Sequence, residues 1–333
     1  MSSVRIVHAS DLHIAAVPLT TSLIDRITPG NVANTIRTGV WASSYNPLVL
    51  ACFAKFVWKN RASLNAVMLT GDIATTGSQK DLDVAHSFVT STADIKIPWL
   101  NDKREPTLEG SGVNVWIMPG NHDRYKHTLP PTFYLPGGTY FDKRFQNKWT
   151  YPVTTFSESV QDLTVAVITA DLNLRDKSES KGSYGWLAQG KAYTDILDKL
   201  ENETDEAKDK YNAENRALAV LWAIHFPPDY PYIANTNKLL DSDTLIYRAN
   251  HCQINGILSG HTHQPVRYRT PKMKFDVFCT GSVSQHYCPE GNHFQIIEVS
   301  TLDGQNISIN LEHYQYKKSQ HRTIYTKSDF YKI

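Results

Sequence analysis

Five short apolar runs, each followed closely by Asp, Asn or His, constrain this chain more than anything else in it. The runs are Val4 to Ala9, Ala66 to Thr70, Val113 to Met118, Leu218 to Ile224 and Ile254 to Ser259. They are rich in Val, Ile and Leu, and turn residues follow most of them, so each reads as a strand covered on both faces. Behind them stand Asp11-Leu12-His13, Gly71-Asp72, Gly120-Asn121-His122-Asp123, His225 and Gly260-His261-Thr262-His263. In open α/β sheets, ligands bind where loops converge beyond the strand C-termini. Five separate loops would therefore deliver carboxylate, amide and imidazole groups to one edge.

The spacing predicts helices between these strands. One opens at Asn46, with Pro47 in its first turn, and runs to about Arg61, turning Leu48, Cys52, Phe53, Phe56 and Val57 inward. A second covers Asp81 to Val89. A third covers Trp186 to about Leu200, and the mixed charges of Glu201 to Lys210 read as a solvated helix end or loop. After the last motif only strands follow: Phe275 to Cys279, Phe294 to Val299 and Ile307 to Leu311, the last two joined across Asp303-Gly304. This order predicts an α/β fold with two mixed sheets sandwiched between helical layers, an α-β-β-α arrangement. With no internal repeat or obvious linker, residues 1–315 read as one domain. Residues 316–333 read as a basic, solvated C-terminal extension carrying Lys317, Lys318, Arg322, Lys327 and Lys332.

A chain of 333 residues can bury a sizeable core, and its formal net charge of +1 creates no global field for nucleic acid or membrane. The first strand begins near Val4, which leaves no room for a signal peptide ahead of it, and no stretch approaches the ~18 apolar residues of a membrane span. The expectation is a cytoplasmic protein without a membrane partner. Cys52, Cys252, Cys279 and Cys288 show no CxxC pairing and read as structural thiols.

Two long loops flank the polar edge, Ile14 to Asn46 and Arg124 to Pro152. The second is rich in aromatic residues, among them Tyr140 and Trp149. It holds Arg124, Lys126, Lys143, Arg144 and Lys148 against Asp142 alone. Long loops in compact domains are usually functional or disordered, and this one is too aromatic for disorder. It reads either as a substrate wall, with Tyr140 and Trp149 stacking and Arg124 drawing in an anion, or as a loop that buries its rings.

A single DxH or HxH means little. In a strand-end loop, however, residues i and i+2 can point the same way, so Asp11 with His13, and His261 with His263, can each reach one metal. Asp72 has two oxygens and can bridge two ions; Asn121 offers a neutral carbonyl oxygen. Donors of oxygen and imidazole nitrogen without thiolate favour Mn, Fe or Zn over an all-oxygen Mg or Ca cage.

With its blocks DxH, GD, GNHD, H and GHxH in order from Asp11 to His263, the chain resembles the calcineurin-like metallophosphoesterase superfamily. That resemblance implies two divalent metal ions. Asp11, His13, Asp72 and His263 would hold the first, and Asp72, Asn121, His225 and His261 the second. It also implies a metal-bridging hydroxide that attacks phosphorus, with His122 as the non-ligand histidine beside the leaving group. The block His225-Phe226-Pro227-Pro228 resembles the cyclic-nucleotide phosphodiesterase-like branch, whose substrates are small phosphoesters. Alternatives within the superfamily are a DNA repair-type nuclease, which would bind nucleic acid, and a phosphomonoesterase. A non-catalytic scaffold with this fold is disfavoured, because all seven ligand positions are filled. His8, His86, His127, His251, His286, His293, His313 and His321 match no block and read as structural.

Overall fold

A computed structural model describes residues 2–16, 45–98, 100, 103–126, 132–133, 140–176, 179, 189–231, 239–285, 291–301, 306–317 and 329–333. Along the chain these form β1 (Ser2–Ala9), α1 (Pro47–Asn60), β2 (Ala66–Thr70), α2 (Gln79–Thr90), β3 (Asn114–Met118), α3 (Asn121–Arg124) and α4 (Tyr140–Arg144). There follow β4 (Val153–Val160), β5 (Leu163–Ala170), α5 (Thr194–Ala213), β6 (Ala217–Ile224), α6 (Ser242–His251) and β7 (Gly256–Ser259). The chain closes with β8 (Val266–Tyr268), β9 (Asp276–Cys279), β10 (His293–Thr301), β11 (Ile307–Lys317) and β12 (Asp329–Lys332).

The strands build two six-stranded mixed sheets, ordered β12-β11-β10-β1-β2-β3 and β8-β9-β7-β6-β5-β4. In the first, β1, β2 and β3 run parallel while β10, β11 and β12 add antiparallel strands beside β1. In the second, β5, β6, β7 and β9 run parallel, with β4 and β8 antiparallel at the two edges. Side-chain alternation explains the layering. Along β6, Ala219, Leu221 and Ala223 enter the core shared with the first sheet, while Val220, Trp222 and Ile224 pack with Ile196, Leu197 and Leu200 of α5 and Leu245 of α6. Both faces of β6 are thus buried, which is why it reads as an unbroken apolar run. On the other side, α1 covers the first sheet with Leu50, Phe53 and Val57. Its start is fixed by Asn46, whose side chain accepts the N–H groups of Leu48 (3.1 Å) and Val49 (3.4 Å).

The structure corrects the third helix. It begins at Thr194 and runs through the charged stretch, burying Thr204, Ala207 and Tyr211. Three inward residues at steps of three and four suffice to hold a helix whose remaining positions are solvated, and the surrounding charge hides that stripe. Trp186 lies outside the described residues, as do Asp303-Gly304 and Cys288. The C-terminus is also corrected. Asp329–Lys332 pairs with β11, Phe330 is buried, and Lys332 reaches Glu312 at 2.8 Å, so the end of the chain belongs to the first sheet. No helix among the described residues is long and apolar enough to cross a membrane.

Candidate metal centre

The five predicted loops meet where the C-terminal ends of β1, β2 and β3 face those of β6 and β7. The two sheets are stitched together there. Ser10 bridges Ser282, Val283 N–H donates to the Ser10 carbonyl at 3.1 Å, and the hydroxyls of Ser282 and Ser284 donate to the carbonyls of Asp11 and Leu12, each at 2.6 Å. Neither serine was singled out from the sequence. Their signal was their alternation directly after β9, which aims both hydroxyls to one side.

The loop backbones are unusual. Asp11, His13, Asp72, His261 and His263 all have positive φ, at 55°, 50°, 51°, 67° and 56°. Non-glycine residues rarely adopt this region, and each instance costs on the order of 1–3 kcal/mol that surrounding structure must hold in place. Much of that hold comes from neighbouring loops: Asp11 N–H donates to the Gly71 carbonyl (3.1 Å) and His13 N–H to the Asp72 carbonyl (2.9 Å). Gly71 and Gly120 permit the close approach. A Cβ on Gly71, itself at φ +100°, would lie 2.6 Å from His225 Nδ1, and a Cβ on Gly120 would strike the Asp72 carboxylate.

Two groups of donor atoms result. Asp11, His13 and His263 each offer an atom within 4.8 Å of the others, and so do Asp72, His225 and His261; His13, Asp72 and His122 form a third such group between them. In the first, His263 Nε2 lies 3.0 Å from Asp11 Oδ1 and 3.5 Å from His13 Nε2. In the second, His225 Nδ1 lies 2.8 Å from the Thr70 carbonyl. A carbonyl only accepts, so Nδ1 carries the hydrogen and Nε2 turns its lone pair toward Asn121 Oδ1 at 2.9 Å and Asp72 Oδ2 at 3.3 Å. Three lone-pair donors aimed at one point are stable only around a proton or a metal ion. His261 Nε2 is buried without a hydrogen-bond partner among the described residues. His261 Nε2 and the acceptors that converge on His225 Nε2 fit divalent cations bound through oxygen and imidazole nitrogen.

Electrostatics agree. Burial would suppress a charge on His225, yet the Asp72 carboxylate beside it raises its pKa to about 9, so the site calls for positive charge at that nitrogen. Burial would likewise raise Asp11 and Asp72, but the facing imidazoles hold both below the ordinary carboxylate range. Burial first, and then the neighbouring imidazoles His122 (at His13) and His225 (at His261), push His13 and His261 down to about 3, keeping them neutral and able to ligate. Asp123 is buried beside Asp72 and is spent on backbone groups. It accepts the N–H groups of Gly120 (2.9 Å), Ile73 (3.2 Å) and Ala74 (2.8 Å), tying α3 to the Gly71-Asp72 loop.

His122 occupies a different position. Its backbone N–H donates to Asp72 Oδ1 at 2.8 Å and its ring Nδ1 lies 2.9 Å from the Thr75 carbonyl. Its ring meets that of His13 edge-on, with centroids 4.8 Å apart. Nδ1 again carries the hydrogen, leaving Nε2 to act in the site.

The aromatic, basic loop divides differently from expectation. Tyr140 is 42% exposed, as a wall residue would be, but Arg124 and Trp149 are 1% and 3% exposed. Arg124 donates to Asp142 at 2.6 and 2.9 Å and to Asp171 at 2.5 Å, while Trp149 Nε1 donates to Asp142 at 3.0 Å. The substrate roles expected for Arg124 and Trp149 are thus corrected: a guanidinium cannot be left unpaired when buried, and two carboxylates claim it. Arg144 pairs with Asp83 and Lys148 with Glu109, so the loop's basic excess is largely neutralised by acids remote in sequence. Tyr125 and Phe133 have side chains outside the described residues.

Among solved structures the chain is similar to a dimetal phosphatase from Danio rerio, with a TM-score of 0.54 and 13% identity over 89% of this chain and 94% of that one. It is also similar to a purple acid phosphatase from yellow lupin (Lupinus luteus) seeds, with a TM-score of 0.50 and 13% identity over 94% of this chain and 52% of that one. At these identities the likeness establishes the fold. A comparison with curated proteins found no match. The family described as calcineurin-like phosphoesterase matches residues 4–265, from β1 to just beyond His263. That span takes in every loop of the metal edge, and the chain belongs to the calcineurin-like phosphoesterase family.

Proposed function

We propose that this metallophosphoesterase hydrolyses small phosphodiesters, of the cyclic-nucleotide type, with two divalent ions held at the sheet edge. The observation that carries the chemistry is the convergence of His225 Nε2, Asn121 Oδ1 and Asp72 Oδ2 on one point, beside the buried, unpartnered Nε2 of His261. Asp11, His13, Asp72 and His263 would hold one ion, and Asp72, Asn121, His225 and His261 the other. When bound, Mn, Fe or Zn ions supply Lewis acidity and a water acidic enough to ionise near neutral pH.

The remaining work falls to the chain. Asp72, placed among both His225 and His13, holds the two halves of the site in register. His122, oriented through Nδ1, presents Nε2 to the departing oxygen and, protonated there as well, gives it the proton it needs, returning to the Nδ1–H form. Tyr140, exposed and near Asn121-His122 in sequence, is the remaining candidate for stacking on a base or sugar. Support for a small diester comes from the His225-Phe226-Pro227-Pro228 block and from the ion pairs that neutralise Arg124, Arg144 and Lys148. A long polyanion would need those charges free.

The test is a parallel assay of Mn-loaded protein on cyclic nucleotides, bis(4-nitrophenyl) phosphate, 4-nitrophenyl phosphate and single-stranded DNA. The reading expects diesters to outrun the monoester, with little response to salt. Faster monoester turnover, or salt-sensitive cleavage of DNA, would overturn it.

A further inference from the structure

Thr75 stands apart from the predicted motifs yet touches two of them. It is 2% exposed, and each of its polar groups is engaged. Its N–H donates to the Ile14 carbonyl at 2.9 Å, its hydroxyl donates to the His13 carbonyl, and its own carbonyl accepts the hydrogen on His122 Nδ1 at 2.9 Å. The first two bonds fix the Thr75 peptide against the loop that carries His13. The third transmits that position to the imidazole of His122.

We infer that Thr75 is a positioning residue for leaving-group departure: its carbonyl keeps one ring hydrogen of His122 on Nδ1, so that the proton given to the departing oxygen is the second one, carried on Nε2, and the spent ring is left as the Nδ1–H tautomer. The inference rests on the proposed role of His122 as proton donor. Three features of the geometry support it. The ring of His122 is only half-buried while Thr75 is fully enclosed, so the anchor is the more rigid partner. The contact is to a neutral carbonyl, which cannot exchange roles with the ring, so only one tautomer satisfies it. And the Thr75 hydroxyl takes the carbonyl of His13, a residue at positive φ, so the same side chain supports a strained metal-edge residue.

The experiment compares Thr75→Val, which keeps the shape and loses the hydroxyl, with Thr75→Ser, which keeps the hydroxyl, and with His122→Ala. Each Mn-loaded variant is assayed on aryl phosphodiesters whose leaving groups span a range of basicity, with metal content measured alongside. Imidazole ¹⁵N spectra of the metal-free proteins report which ring nitrogen of His122 bears hydrogen. Thr75→Val should lower kcat about tenfold for the poorest leaving group, a fraction of the roughly 10²–10⁴ that a general acid supplies. Per bound metal it should change kcat little for 4-nitrophenolate, with KM held, and the single Nδ1–H signature of His122 should give way to a mixture. Thr75→Ser should restore wild-type behaviour on every readout. A uniform loss across leaving groups in Thr75→Val, an unchanged rate, or an unaltered imidazole signature would overturn the inference. If His122→Ala itself loses rate equally for all leaving groups, the acid role of His122 falls, and the spectra then judge the Thr75 contact alone. Thr75→Ala, which needs less room, repeats the spectral test if Thr75→Val folds poorly.

Discussion

Replacing Arg124 by methionine tests whether the buried ion-pair network, rather than substrate contact, is what this arginine serves. In the wild type the guanidinium is 1% exposed and shared by Asp142, 14% exposed, and Asp171, fully buried. The nearby carboxylates outweigh burial and keep Arg124 charged, with its pKa above the ordinary range. Asp171 also accepts the Asn173 backbone and side-chain N–H groups at 3.0 and 2.7 Å, so it has no route to water. Methionine fills the same space but leaves the Asp171 charge buried and unpaired. Breaking a buried pair by removing one partner costs about 3–5 kcal/mol. Asp142 can turn toward solvent and adds little, so the lower half of that range is the expectation. Adding Asp171→Asn removes the orphaned charge, and the double variant should be more stable than Arg124→Met alone, with a coupling of about 1–3 kcal/mol. Urea unfolding followed by tryptophan fluorescence reports both, and Trp149 lies within the network. A loss below about 1 kcal/mol for Arg124→Met, or strict additivity in the double variant, would refute this reasoning.

Other outcomes follow from the same geometry. Metal-free protein should be most stable near pH 6.5. Below it, His8, His13 and His261, pushed down to about 3 by burial, stay neutral in the fold while the unfolded chain takes up protons, so stability falls with falling pH. Above it, His225 keeps its proton to about 9 in the fold, so the stability it contributes is full below 6.5 and lost as pH rises through 9. Urea midpoints in chelator from pH 5 to 9.5 check both limbs, and a flat alkaline limb would contradict the His225 assignment. Metal affinity should rise over the same alkaline window, since the ion displaces the His225 proton; calorimetry in buffers of different ionisation enthalpy measures that release. Gly120→Ala should cut metal binding and activity at least tenfold, because its Cβ would strike the Asp72 carboxylate; a metal titration with retained wild-type affinity would contradict the packing argument.

What the sequence reveals, and what it conceals, follows from how each feature is encoded. The metal edge was legible because strands buried on both faces leave unbroken apolar runs, and the polar residues after them stand out by contrast. Asn46-Pro47 marked the start of α1 through local capping chemistry, which needs no tertiary information. The β4–β5 hairpin escaped notice although Leu163 to Ala170 is wholly buried. Its turn uses Gln161 at φ 53° followed by Asp162, a pair without the glycine that usually flags such turns. The partners of Arg124 are invisible from sequence for another reason. Asp171 is 47 residues away, and only the tertiary fold brings its carboxylate, just past β5, to the guanidinium. Thr75 acts through its backbone carbonyl and through contacts that no motif records.

If Asp72 joins two metal ions into one hydrolytic centre, as proposed, Asp72→Asn should dismantle that centre. Wild-type and variant protein, loaded with Mn and freed of excess, are measured for metal per chain by mass spectrometry and for diester hydrolysis. Wild-type protein should carry about two ions per chain, and the variant should lose both and show no detectable turnover. A variant that retains both ions and wild-type activity would contradict the proposal.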